Sequence, residues 1–123
     1  MDTRIDTRLV GTWSFVSCVA KTSTGESSYP WGDKSTGFLS YTPDGFVFVT
    51  RMSVSDFESY CGKYTIADNT VIHHIDLCSI PAFVGTQQKR YFEINNNELR
   101  LTTEPVLADG ITHTAFLVWK RAS

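Results

Sequence analysis

The chain has 123 residues and a formal net charge of −2. A chain of this length reads as one domain over residues 1–123, long enough to bury a core. Its slightly acidic balance speaks against nucleic acid as the main partner, because phosphate binding calls for a basic surface.

No apolar run approaches the roughly 20 residues of a membrane span, so no membrane partner is expected. The opening MDTRIDTRLVGTW lacks the apolar centre of a secretory signal. Cys18, Cys61 and Cys78 are an odd number without paired spacing, which fits free thiols in a cytoplasmic protein.

Strand signals recur along the chain, and no window is better read with the 3.6-residue apolar period of a helix. Eight strands are predicted, at 9–20, 36–42, 46–52, 59–67, 70–78, 86–94, 98–103 and 112–121. In the first, alternation puts Trp13, Phe15, Ser17 and Val19 on one side. The loop 21–35, KTSTGESSYPWGDKS, is long enough to be functional. Thr42-Pro-Asp-Gly45 suits a type I turn with Gly45 at positive φ. That turn pairs Tyr41 with Val47 and Leu39 with Val49 and sets Gly37 opposite Arg51, so Leu39, Tyr41, Val47, Val49 and Arg51 share a face.

Asp68-Asn69 and Asn96-Asn97 can each form a two-residue turn. Ile66 then pairs with Val71 and Ile94 with Leu99. The inward set becomes Tyr60, Tyr64, Ile66, Val71, His73, Ile75, Leu77, Gln88, Arg90, Phe92, Ile94, Leu99 and Leu101. In VIHHIDL (71–77) this sends His73 in and His74 out; a three-residue turn would reverse the two. In the last strand His113, Ala115, Leu117, Trp119 and Arg121 fall on one side.

Gly11-Thr-Trp13, placed just before a long strand, resembles the Gly-x-Trp signature that opens the first strand of lipocalins. Val118-Trp-Lys-Arg121 resembles the lipocalin last strand, whose arginine packs across that tryptophan and closes the barrel floor; the resemblance gives Arg121 this role. The likeness is closer still to the small lipocalin-like domain proteins of bacteria and fungi. It is carried by LVGTWSFVS (9–17), YPWG (29–32), GFLSYTPDGF (37–46), YCGKY (60–64), TVIHH (70–74), PAFVGTQQKRYFE (81–93) and LVWKR (117–121). The resemblance implies an all-β fold, an eight-stranded antiparallel up-and-down barrel with a ligand-sized interior. The long C-terminal helix and the disulfides of typical secreted lipocalins are missing. Some members of the family sit beside secondary-metabolite enzymes, and related barrels are cofactor-free cyclases and isomerases. The resemblance names no reaction.

Eight strands enclose a space that side chains fill or that holds one small ligand. By alternation its polar groups are Tyr41, Arg51, Tyr60, Tyr64, His73, Gln88, Arg90, His113 and Arg121, with no inward Asp or Glu. An arginine without a carboxylate among apolar walls invites a ligand bearing a carboxylate, enol or phenolate oxygen. Arg51 lines the site or snorkels to the rim. Arg90, mid-strand, is the stronger candidate for an anion or oxyanion. His73 faces Tyr64 across a hairpin, where it either moves a proton near neutral pH or serves the structure.

Two functions of different classes follow. One is a cofactor-independent cyclase or isomerase of a small apolar metabolite, polyketide- or terpenoid-derived, with His73, Arg90 and Tyr64 as its catalytic groups. The other is a carrier that uses the same groups for recognition alone. A filled barrel built for dimer assembly is a third. In the first two, Tyr41, Arg51, Tyr60, Gln88, Phe92, His113, Phe15 and Leu39 surround the ligand. Tyr29 and Trp31 lid the mouth or pack on the outer wall. No cofactor is expected, since no phosphate-binding or dinucleotide motif and no GxSxG or HExxH pattern appears. No metal is expected either, because adjacent strand histidines cannot share one ion. Outward Phe38, Phe46, Phe48, Phe116 and Val118, with Val16 and Cys18, form an apolar patch that predicts a homodimer.

Overall fold

The computed structural model describes residues 6–32 and 34–123; residues 1–5 of the N-terminal stretch and residue 33 of the first loop lie outside it. Ten strands follow one another: β1 Gly11–Thr22, β2 Ser27–Ser28, β3 Thr36–Tyr41, β4 Phe46–Met52, β5 Phe57–Ala67, β6 Thr70–Cys78, β7 Gln87–Asn95, β8 Glu98–Thr103, β9 Val106–Ala108 and β10 Ile111–Arg121. Among the described residues a single 3-10 turn, Pro81–Phe83, interrupts them. Each barrel strand pairs antiparallel with the next, and β10 returns to pair with β1. The result is the closed eight-stranded antiparallel barrel expected from the sequence. β2 and β9 are short flaps on β1 and β10, outside the closure.

The turns set the register as their chemistry predicts. Gly45 takes φ 96°, and Gly37 lies opposite Arg51. Asp68 and Asn96 take φ of 55° and 57°, which pairs Tyr64 with His73 and Ile94 with Leu99. His73 is therefore buried, and His74 bonds Thr65 on the other face.

Two bulges break the alternation, and they correct the inward sets. Between Phe15 and Ser17 the register of β1 on β10 slips by one. Val16 is left exposed and Cys18 turns into the core, the reverse of the outward position expected for Cys18. A second slip falls between Cys61 and Gly62, which pair with Leu77 and Ile75. Leu77, expected inside, is consequently exposed. Gly62 is required there, because a Cβ would collide with the His74 carbonyl.

The barrel floor is built at the chain ends. Trp13 is fully buried and its indole N–H donates to the Leu9 carbonyl at 3.0 Å. The Arg121 guanidinium lies 4.1 Å from the Trp13 ring centre and donates to the carbonyls of Val10 at 3.1 Å and Arg8 at 2.5 Å. Gly11 has φ 136°, and a Cβ there would reach to 2.7 Å from an Arg121 nitrogen. The glycine of the Gly-x-Trp pattern thus leaves room for the arginine that covers the tryptophan. Arg121→Met removes the cation–π contact and both hydrogen bonds while keeping the stem. It is expected to lower the unfolding free energy by about 2 kcal/mol, read from urea denaturation.

Candidate functional site: a polar triad in an apolar cavity

With the floor closed, the described residues of the loop between β1 and β3 and the loops 53–56, 79–86 and 104–110 surround the opposite end. Between them lies a cavity of about 170 Å³. Its walls are Leu39 and Val49 from β3 and β4, Glu58 and Tyr60 from β5, His73 from β6, Gln88 and Arg90 from β7, and Leu101, Leu117 and Trp119 from β8 and β10. Trp31 and Phe83 reach in from loops at the mouth. Apolar walls with a few converging polar groups are the usual makeup of a small-molecule site.

His73 is the centre of the polar group. Its Nε2 lies 2.6 Å from the Tyr41 hydroxyl and its Nδ1 2.6 Å from the Tyr60 hydroxyl. Tyr41 comes from the floor end of β3, and Tyr60 from the mouth half of β5. Burial disfavours the imidazolium, and the nearby Arg90 and His74 add to that; the His73 pKa is pushed down to about 3. Burial raises the Tyr41 phenol well above its ordinary value. Tyr60 is also raised by burial, with Arg90 opposing. At neutral pH the triad is uncharged, with both imidazole nitrogens engaged.

Arg90 supplies the positive charge. It donates to the Lys89 carbonyl at 3.0 Å and to Gln88 Oε1 at 2.9 Å, and no carboxylate pairs with it among the described residues. Arg51 has two acidic partners, Asp56 at 3.4 Å and Glu58 at 3.9 Å. Glu58 corrects the expectation that no acidic residue faces inward. β5 starts at Phe57, ahead of the predicted boundary, and Glu58 shares the inward parity of Tyr60.

The remaining expected site residues divide by depth. Leu39 and Gln88 line the cavity. Trp31 closes one side of the mouth, with its ring 5.1 Å from Phe15 and 4.7 Å from the Arg51 guanidinium. Phe15 meets Trp119 edge-on at 5.4 Å and backs this wall. Tyr29, offered as a second lid residue, is exposed. Tyr64 faces His73 in the ladder, but its hydroxyl donates to the Thr42 carbonyl at 2.8 Å, which commits it to the floor turn and away from the cavity. Phe92 is buried in the core and is not among the cavity walls. His113 is exposed, because β10 has passed the rim there and pairs with the β9 flap. Phe83 was missed: it arrives on the 3-10 turn of the β6–β7 loop, which alternation does not reach. No cluster of three or more His, Cys, Asp or Glu able to hold a metal occurs among the described residues.

Residues 10–56 and 50–122 match the profile of the lipocalin-like domain. The chain belongs to the lipocalin-like domain family. A 4'-hydroxy-3'-methoxypropiophenone carrier protein of Aspergillus oryzae is 30% identical over 93 residues, covering 68% of this chain and 80% of the relative. Solved structures repeat the lipocalin-like barrel at low identity, which shows the fold alone. The lipoprotein YedD of Klebsiella pneumoniae aligns with a TM-score of 0.56 at 15% identity, over 100% of this chain and 79% of that one. An uncharacterized protein of Bacteroides eggerthii gives 0.55 at 14%, over 92% and 98%. A redesigned β-barrel gives 0.53 at 17%, over 98% and 97%. No helix among the described residues of this lipocalin-like chain is long and apolar enough to cross a membrane.

Proposed function

We propose that this lipocalin-like barrel binds a small, largely apolar metabolite and carries it unchanged. The polar oxygen end of the ligand sits at Tyr60 and Arg90, and its apolar body lies against Leu39, Val49, Leu101, Leu117 and Trp119. The observation that carries this reading is Arg90: a cation on the wall of an apolar cavity, with no acidic partner among the described residues. The relative named as a carrier of an aryl ketone supports the same reading and suggests an aryl ketone as the first ligand to test.

The second reading is a cofactor-independent cyclase or isomerase, favoured by the presence of Arg90 and Tyr60 on the walls of one cavity, where they could stabilise an enolate oxygen. The triad weighs against it. A general base works best with a pKa near the operating pH, and His73 is held near 3 with both nitrogens occupied. Incubation with 4'-hydroxy-3'-methoxypropiophenone in D2O separates the two. A carrier returns the ketone bound and without added deuterium beyond the protein-free control. An enolising enzyme exchanges the protons next to the carbonyl or yields a new product.

The homodimer belongs to the same proposal. Phe38, Phe46, Phe48 and Phe116 are exposed on neighbouring strands, with Val118 and Val16 beside them and Cys18 removed to the core. A dimer through this face is expected in sedimentation at micromolar concentration, and Phe48→Lys is expected to return it to monomer. A monomeric wild type would count against it.

A further inference from the structure

We infer that Tyr41 fixes the direction of the Tyr41–His73–Tyr60 hydrogen-bond chain, so that Tyr60 offers its proton to the cavity and selects a ligand with an acceptor oxygen there. The ligand class is a ketone or other carbonyl, or a deprotonated oxygen. The polarity rests on the geometry of the triad, and the ligand class rests in addition on the carrier reading above.

A neutral imidazole has one N–H and one lone pair, so of the two bonds to His73 one runs in and one runs out. Tyr41 decides which. It is fully buried, and among the described residues its hydroxyl meets one polar partner, His73 Nε2 at 2.6 Å. If Nε2 carried the proton, Tyr41 would accept it, and its own O–H would lie buried with nothing to receive it. Leaving a buried donor unmet is costlier than losing a hydrogen bond outright. Tyr41 therefore donates to Nε2, the ring proton sits on Nδ1, and Nδ1–H donates to the Tyr60 oxygen 2.6 Å away. The Tyr60 proton is then turned away from His73. Tyr60 is a wall of the cavity, so that is where the proton is available.

The rest of the cavity agrees with this polarity. Arg90 has donors only. The acceptor of Gln88 is engaged by Arg90, and the Glu58 carboxylate lies 3.9 Å from Arg51. The Glu58 carboxylate aside, the polar groups on the walls present donors, and an acceptor oxygen on the ligand complements them. The holding of His73 in its uncharged form over a wide pH range keeps the chain directional.

The test begins with the full-length protein and no ligand. The 15N shifts of His73 at neutral pH, assigned by difference from His74→Gln and His113→Gln, are expected to show the proton on Nδ1. In Tyr41→Phe, where Nε2 has lost its donor, the Nε2–H form is expected to appear. Affinities for propiophenone and for propylbenzene, which lacks the carbonyl, are then measured on the wild type and on Tyr60→Phe. Loss of the Tyr60 hydroxyl is expected to weaken propiophenone roughly tenfold and propylbenzene by no more than about twofold. A proton on Nε2 in the wild type overturns the inference, whatever binds. So does equal weakening of the two probes. A proton on Nδ1 with neither probe bound would uphold the polarity and sink the carrier reading on which the ligand class depends.

Discussion

Between about pH 7.5 and pH 5 the wild-type protein is expected to lose about 2 kcal/mol of unfolding free energy that a His73→Gln variant does not lose. The folded pKa of His73 is lowered from 6.5 to about 3, first by burial and then by Arg90 and His74. Above pH 6.5 the imidazole is neutral whether the chain is folded or not, and the group favours neither state. As the pH falls below 6.5 the unfolded chain takes up a proton that the folded protein refuses, so stability is lost at close to 1.4 kcal/mol per pH unit. The loss levels off near pH 3, where the folded protein accepts the proton too. Urea denaturation of both proteins at pH 7.5, 6 and 5 gives the difference directly. Parallel curves would mean that His73 is protonated inside the barrel without penalty. That result would reopen His73 as a proton carrier and with it the isomerase reading.

The same residue shows how far the sequence reaches. The turns are legible because their residues are chosen by backbone angle: Gly45, Asp68 and Asn96 take positive φ where the chain has to reverse. From those turns the pairing of Tyr64 with His73 follows, and with it the inward direction of His73. Alternation carries that information only as far as the next irregularity. The bulge at Val16 has no mark in the sequence, and it turns Cys18 inward. The bulge opposite Gly62 does have one, since a glycine inside a strand pattern points to a bulge or a close backbone approach. The Glu58 side chain has the same parity as Tyr60 but lies ahead of the strand that alternation marks, because β5 begins at Phe57.

What pairing cannot supply is the third dimension of the barrel. Tyr41 and His73 are 32 residues apart and on strands that are not neighbours in the sheet, so their bond exists only because the sheet closes. Alternation marked Tyr41, Tyr60 and Tyr64 alike as inward tyrosines. Depth separates them: Tyr64 is used by the floor turn, Tyr41 supports His73 from the floor end of β3, and Tyr60 is the one on the cavity wall. Arg51 and Arg90 were likewise equivalent by parity. The carboxylates of Asp56 and Glu58 neutralise the first, and no carboxylate among the described residues pairs with the second.

Arg90→Gln is expected to weaken a carboxylate or phenolate ligand by roughly 10- to 100-fold while leaving the ligand-free barrel as stable as the wild type or more so. Hydrogen bonds to a charged partner contribute about 1.5–3 kcal/mol, which sets the range for affinity. The sign of the stability change comes from the opposite side of the same physics. A cation held beside an apolar cavity and answered by a carbonyl and an amide oxygen is incompletely compensated for the water it has lost. A neutral glutamine keeps hydrogen-bonding capacity next to Gln88 and removes that deficit. It also removes a repulsion on any proton added to His73, since Arg90 is one of the groups that hold the imidazole neutral. The acid sensitivity of the variant should therefore be milder than that of the wild type. Titration of the two proteins with benzoate and with its methyl ester, together with urea denaturation of each, reads both effects. If Arg90→Gln destabilises the free protein and weakens both probes equally, the arginine is a structural member of β7 and the anion-binding reading is wrong. If affinity for benzoate alone collapses while the barrel holds or gains stability, Arg90 is retained against its cost to the fold, and a negatively polarised ligand oxygen is the reason.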